Sequence, residues 1–567
     1  MTAVQRLVSN GNSIINFLKN FSSSTPQDVS VDWVNDDGSV ETKTFANIKK
    51  FQDSVDIKNN NNELVSSTGE NLSIHNANNI EGKSLLDIQG MVTNPHNFKF
   101  LVDTERSFPE RWMVGVNQKN QIVGWGYQNT YIYNSGNSDS LGSFVYEVPF
   151  EVQGLEPKEI IATTWGIYLL YPNGDLYTRG HNGYGQLGRG NTSHNTTGFE
   201  KVLTDVIKVS TSSHGYHQDY ISVLALREVD GVREVWGAGR NGYGQLGRGN
   251  NTENRTTFEK AQFTSDLTGE DSIIDIFVTD TNIISTYALT DTGKLFSCGW
   301  NGDGGCLGLG DTTNRSTFTL ITGNLANEEV IEVVTGGGTR SGNNAYYRHS
   351  VIVRCASGRL FSWGYGGNSE LGLGNTISYN TPQEITWFAD NGLTVTSLYG
   401  FRGSWTNYFA ICSNGKAYAW GYNSYGSLGI GNTSITGTPT EVILPYADGL
   451  TVKKIYRGAG SGTYSYHHGT LFVCDINGRD VIYSAGHDGE NQVGDYSGQA
   501  NTPRQIRFGV NPNAKVKQVS TGGSSSSWFY VCLFDNGEAY AWGDNDYQTC
   551  RLYDSNSNIV APALIGA

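Results

Sequence analysis

The sequence predicts an all-β chain: a β-propeller of seven or eight four-stranded blades with a small N-terminal module in front of it. Three observations carry this. Residues 239–249 read G-R-N-G-Y-G-Q-L-G-R-G and residues 180–190 read G-H-N-G-Y-G-Q-L-G-R-G, the same at ten of eleven positions and 59 residues apart. A repeat of that period marks a radial or stacked architecture. Turn dipeptides recur at Asn173-Gly174, Asp230-Gly231, Thr292-Gly293, Ser357-Gly358, Asn414-Gly415, Asn477-Gly478 and Asn536-Gly537, and between apolar runs such pairs signal hairpins. The glycine that ends the strand after each turn falls at 126, 180, 239, 299, 364, 421, 486 and 543, at intervals of 54 to 65 residues. Each interval holds four strand-like runs, for instance 441–444, 452–457, 470–474 and 481–484. Short antiparallel strands repeated in this way describe propeller blades.

Three segments follow in order. Residues 1–52 form an N-terminal module in which Val4, Leu7, Ile14, Ile15 and Leu18 suggest short helical turns, and residues 29–45 alternate about Asp36-Asp37-Gly38 as a hairpin would. Residues 53–97 are rich in Asn and poor in apolar side chains, and read as a linker or an oligomerisation segment ordered by partner chains. Residues 98–567 form the propeller. Three runs, 98–103, 111–116 and 121–125, precede the first anchor glycine, and one, 561–565, follows the last. Three plus one is expected to build a blade from both termini and so close the ring. Seven full intervals plus this blade count eight.

Composition excludes several classes. Gly is 71 of 567 residues, aromatic residues are 12 % and charged residues only 16 %, a strand-rich balance with neutral polar surfaces. A formal charge of −15 opposes general affinity for nucleic acid or anionic lipid. No apolar run is long enough for membrane insertion and no signal peptide is legible. Cys355, Cys412, Cys474 and Cys532 each precede a hairpin turn, one per repeat, which makes them small buried hydrophobes rather than disulfide or metal partners.

The loop W-G-x-N-x-x-G-x-L-G-x-G, as at Trp420, Gly421, Asn423, Gly426, Leu428, Gly429 and Gly431, resembles the repeat of the regulator of chromosome condensation family. The matching positions are Gly180, Leu187, Gly188, Gly239, Leu246, Gly247, Gly299, Leu307, Gly308, Gly364, Leu371, Gly372, Gly421, Leu428 and Gly429. The resemblance covers residues 100 to 567 and implies a seven-bladed propeller, one fewer than the count. It also implies, for some members, nucleotide exchange on a small GTPase, which no residue of this chain is matched to. The repeated glycines lack the Gly-Lys-Ser/Thr of a phosphate loop, and the close pairs His214/His217 and His467/His468 lack further metal ligands at suitable spacing. No cofactor, metal or catalytic residue is therefore assigned. Two carboxylates from different blades are the one route left to a polysaccharide-degrading activity.

Recognition is expected instead on the enlarged loops before the hairpins, 214–220, 336–348, 401–408, 458–468 and 522–528. Propeller symmetry gathers them at one face, and their Tyr, Trp, Ser, Gly and Asn content suits adaptable binding. The candidates are Tyr216, His217, Tyr220, Arg340, Tyr346, Tyr347, Arg402, Trp405, Tyr464, Tyr466, His467 and Trp528. The N-terminal Asp-Trp and Asp-Gly-Ser, the Asn-rich spacer and the distal β-domain together resemble fibres, spikes and whiskers of tailed bacteriophages. That resemblance implies a structural virion protein, located on a tail or collar appendage. Its N-terminus would join other virion proteins, its propeller would bind a host surface polysaccharide or protein receptor, and a homo-trimer is the favoured assembly. The alternative is an intracellular propeller scaffold, or a protein like a guanine-nucleotide exchange factor, that binds a protein partner.

Overall fold

The computed structural model describes four short strands in the N-terminal region: Val29–Val34, Val40–Phe45, Ile57–Lys58 and Leu64–Val65. Of the propeller it describes residues 98–102, 112–126, 142–146, 148–163, 165–212, 221–249, 252–279, 284–302, 304–339, 347–400, 406–446, 449–459, 468–489, 492–494, 498–508, 513–523, 528–544 and 559–564. The chain divides into two compact units, Met1–Thr93 with Ala567, and Asn94–Gly566. In the first, Val29–Val34 pairs antiparallel with Val40–Phe45, the hairpin expected there. The second is a propeller.

Among the described residues the propeller has eight four-stranded antiparallel sheets, each a meander of consecutive strands. The blades span 98–145, 159–203, 206–260, 273–320, 330–384, 395–441, 451–506 and 516–564. Among the described residues helix is confined to single turns such as Trp387–Asp390. The count of eight is thus the observed one, and the seven implied by the family resemblance is not. No blade is shared between the termini. Gly142–Val145 completes the first blade, which leaves Ile559–Leu564 to pair with Ala539–Gly543 in the eighth.

Second and third strands are buried on both faces, as in Ser285–Thr290 and Leu295–Gly299, because each sheet is sandwiched between its neighbours. They therefore read as continuous apolar runs. Fourth strands form the outer edge, and several are polar: Arg315–Leu320 is R-S-T-F-T-L with only Phe318 buried. This explains a misplacement. In the sixth blade the fourth strand is Thr436–Glu441, not the apolar run 441–444, since an edge strand needs one inward side chain rather than a hydrophobic stretch.

The core lies between blades. One cluster joins Leu224 and Leu226 of the third blade to Ile276, Ala288 and Phe318 of the fourth, and another joins Phe409 and Ile411 of the sixth to Ile455 and Phe472 of the seventh. The ring closes in the same way. A cluster containing Phe98 and Val114 of the first blade and Val519 and Val531 of the eighth spans the seam. Gln518 reinforces it, accepting from Leu101 N at 2.8 Å and donating to Leu101 O at 2.8 Å, while Ser520 Oγ donates to Val102 O at 2.8 Å.

The fourth blade shows what the repeat loop does. Gly299 has φ 100°, and a Cβ there would lie 2.5 Å from the Ile284 carbonyl oxygen. Asn301 is fully buried; its Oδ1 accepts from Leu307 N at 2.8 Å and its Nδ2 donates to Asp311 O at 3.0 Å and Thr313 O at 3.2 Å. One amide thus organises the whole loop. Asn182 and Asn423 make the same bonds to Leu187 and Leu428, and Asn241 binds Leu246 N. Leu187, Leu246, Leu307, Leu371 and Leu428 are all buried.

The loop also fastens one blade to the next. Gly310 N donates to Asn380 O of the fifth blade at 2.8 Å, and Trp363 Nε1 of that blade donates back to Cys306 O at 2.8 Å. Gly308 must lack a side chain, because its Cβ would sit 2.8 Å from Trp363 Nε1. The same backbone latch runs from Gly190 to Thr256, Gly249 to Ser316, Gly374 to Gly437 and Gly431 to Asn501.

Two expected outcomes follow from these contacts. Asn301→Ala strands the buried Leu307 N–H and two carbonyls, and is expected to cost about 2 kcal/mol, read as a lower urea midpoint. Asp271, almost wholly buried on its side chain, is opposed by desolvation, yet Lys294, Thr292 and Thr268 hold its carboxyl well below the usual aspartate value of 3.8. A carboxyl depressed in the folded state stabilises above the unfolded value and loses that contribution as pH falls through the folded one. The thermal midpoint of the wild type should therefore drop more steeply below pH 3.8 than that of Asp271→Asn.

Candidate binding site at the channel mouths

A four-stranded antiparallel meander returns its first-to-second and third-to-fourth connections to one end. The enlarged loops and the glycine loops therefore share one mouth of the ring, and the hairpin turns share the other. The described strand ends confirm the arrangement: Thr339 pairs with Tyr347 across the connection 340–346, and Gly364 pairs with both Ser350 and Tyr379. Of the candidates, Tyr216, His217, Tyr220, Arg340, Tyr346, Arg402, Trp405, Tyr464, Tyr466 and His467 lie outside the described residues. Tyr347 opens the strand Tyr347–Cys355 at that mouth.

Trp528 is different. It starts the strand Trp528–Phe534, is 0 % exposed, and packs in the cluster that closes the ring with its ring 5.8 Å from His487. Its assignment as a binding residue is corrected: it fills core. An aromatic at the foot of a loop is drawn inward where the neighbouring inner strand offers glycines, and here Gly458 and Gly469 leave it room.

The opposite mouth holds a feature that residue-by-residue reading missed. First strands line the channel, and those of neighbouring blades pack on one another, Val516–Gly523 against Phe98–Leu101 among them. Where the seventh, eighth, first and second blades meet, an open cavity of about 610 Å³ is lined by Lys99, Lys158, Lys454 and Lys517 together with Glu156, Glu159, Phe100, Leu101, Ile160, Tyr456, Gln518 and Val519. Lys99 Nζ bonds Glu156 Oε2 at 2.6 Å. Lys158 Nζ donates to Ile207 O at 2.8 Å and Lys517 Nζ to Lys99 O at 2.5 Å. Lys454 Nζ lies 4.9 Å from the centre of the Tyr456 ring. The signal was in the sequence, where Lys99, Lys158, Lys454 and Lys517 each lie within three residues of the start of a first strand, in four consecutive blades around the ring.

The buried thiols are poor nucleophiles: burial pushes those of Cys298, Cys306, Cys355 and Cys412 up to about 12. His194 serves the repeat loop, accepting from Asn182 N through Nδ1 at 3.0 Å, the part Asn254 and Asn314 play toward Asn241 and Asn301. Among the described residues no helix is long and apolar enough to cross a membrane.

Comparison with known proteins places the repeats. The family model of the regulator of chromosome condensation (RCC1) repeat matches residues 357–398 and 414–461. The chain is 29 % identical over 328 residues to the ultraviolet-B receptor UVR8 of Arabidopsis thaliana, a match spanning 57 % of this chain and 66 % of the receptor. It is 25 % identical over 421 residues to the E3 ubiquitin-protein ligase HERC2 of Mus musculus, 73 % of this chain but 8 % of the ligase. Among solved structures, human WBSCR16 superimposes with a TM-score of 0.48 at 18 % identity, covering 70 % of this chain and 90 % of that one. Prp20p from Saccharomyces cerevisiae does so with 0.47 at 20 %, covering 70 % and 87 %.

These relatives overturn the virion reading. The relatives named above are a plant receptor and a mammalian ubiquitin ligase, and with the virion reading go the virion partners, the host polysaccharide receptor, the tail location and the trimer argued from it. The physical reason is that a short hairpin with Asp-Gly and an Asn-rich spacer are generic turn and solvation signals, whereas the propeller repeat constrains many positions at once. What the residues and the matches agree on is the repeat itself: residues 357–398 and 414–461 match the regulator of chromosome condensation repeat and lie in an eight-bladed propeller.

Proposed function

We propose that this chain is an intracellular propeller scaffold that works by binding a protein partner through the loop-bearing mouth. The observation that supports it is what the relatives have in common. A 421-residue match is too long to fall within Met1–Thr93, so it covers the propeller, and it makes up 8 % of one relative and, over 328 residues, 66 % of the other. The shared part is thus a module that serves proteins as different as a ligase and a receptor, which suits recognition rather than a chemistry of its own. The ring supplies a rigid base, and the loop residues Tyr216, Tyr220, Tyr346, Trp405, Tyr464 and their neighbours supply aromatic contact area beside Ser, Gly and Asn donors.

The test uses the full chain and a variant whose segments 340–346 and 401–405 are replaced by Gly-Ser of equal length. A defined protein should co-purify with the wild type in near-stoichiometric amount, and its affinity should fall by about tenfold or more in the variant, with the urea midpoint unchanged. Absence of any stoichiometric partner, or a partner indifferent to both segments, overturns the proposal. Release of fluorescent nucleotide from a captured small GTPase separates the two forms: acceleration identifies exchange activity, and an unchanged rate leaves a scaffold.

A further inference from the structure

We propose that the lysine-lined mouth is a second binding site, and that it takes a carboxylate-rich peptide segment of a protein partner. It lies at the hairpin end of the channel, away from the enlarged loops, and stands apart from the function proposed for them.

Charge is the first ground. Four lysines and two glutamates line the cavity, a net positive patch on a chain of charge −15. A concave site of one dominant sign with low-dielectric walls concentrates the opposite charge. The manner of pairing is the second. Lys260, Lys294, Lys416 and Lys453 elsewhere in the propeller each meet a carboxylate at 2.6 to 3.0 Å. Lys158 and Lys517 meet main-chain carbonyls instead and, among the described residues, no carboxylate. Such ammonium groups keep donors for a ligand, since each carries three and the carbonyl uses one.

The wall composition selects the ligand. Phe100, Leu101, Ile160, Tyr456 and Val519 provide apolar surface between the lysines, which an inorganic phosphate leaves uncovered and an acidic peptide with apolar side chains covers. Glu156 and Glu159 repel a dense polyanion but accept from the backbone N–H groups of an extended peptide. On the connection that carries Glu156, Leu155 and Phe150 are exposed large apolar residues. At about 610 Å³ the cavity is of the size that encloses a short segment rather than a single ion.

The experiment measures anisotropy of a fluorescent Glu-rich peptide bearing Leu side chains, titrated with the full chain. Binding should weaken with added salt, fall by about tenfold in Lys158→Gln/Lys517→Gln, and return to within about twofold in the charge-conserving Lys158→Arg/Lys517→Arg. The variant with Gly-Ser in place of 340–346 and 401–405 should bind the peptide as the wild type does, so failure of the loop-mouth reading and failure here are separately visible. The proposal is overturned if the peptide does not bind, if the glutamine variant binds as well as the wild type, or if inorganic tripolyphosphate binds more tightly than the peptide and displaces it. Should the glutamine variant lose its urea midpoint, salt dependence in the wild type and retention in the arginine variant decide in its place.

Discussion

The structure depends on a hydrogen-bonded asparagine amide buried at the end of the third strand. In the fourth blade Asn301 satisfies one N–H and two carbonyls that the Gly-rich loop cannot pair within itself, and in doing so it turns Leu307 into the core. Each such bond contributes about 1 kcal/mol net, while leaving a buried partner unmade costs more. Its weight lies in that asymmetry. Once the amide fixes the loop, Gly310 meets the next blade's edge strand and Cys306 O meets the next blade's Trp363. A local device thereby sets the register between sheets that share no strand. Blade seven varies it, with Asp488 Oδ1 accepting from Val493 N at 2.7 Å, which shows that the acceptor half is the part the loop requires first.

The legible features of the sequence were those whose physics is local. Hairpin turns announce themselves because positive φ restricts the residues: Asp230 and Asn477 both take φ 51° ahead of a glycine, in two-residue turns. Buried second and third strands announce themselves as apolar runs. Polar fourth strands did not, since in Arg315–Leu320 and Thr436–Glu441 only Phe318 and Pro439 are buried. The composite blade failed for a related reason: Gly142–Val145 reads G-S-F-V after a polar stretch and was passed over as a strand, so the count of eight was right while its closure was not.

The site was less legible than the fold, because it is built across repeats rather than within one. Lys99, Lys158, Lys454 and Lys517 are unremarkable singly, and Lys99 and Lys517 are more than 400 residues apart in sequence yet joined by a hydrogen bond. Only phasing the first strands against one another brings them together. Trp528 shows the converse error. A loop-end aromatic looks exposed in sequence, but the glycines that decide its fate, Gly458 and Gly469, belong to the preceding blade.

The two features meet at the seam. Closure there relies on Gln518, Ser520 and an apolar cluster, and the four lysines are contributed from both sides of it, Lys454 and Lys517 from the last two blades and Lys99 and Lys158 from the first two. Like charges brought together across a joint oppose its closing, and Glu156 beside Lys99 answers only part of that opposition. An anionic ligand bound between them offsets the remainder, and a ligand that binds only the closed ring stabilises it by mass action. Where a propeller lacks a shared blade to tie its ends, occupancy of such a mouth and integrity of the ring become one equilibrium, so the place where the fold is least covalently secured is also the place where binding can be felt by the whole molecule.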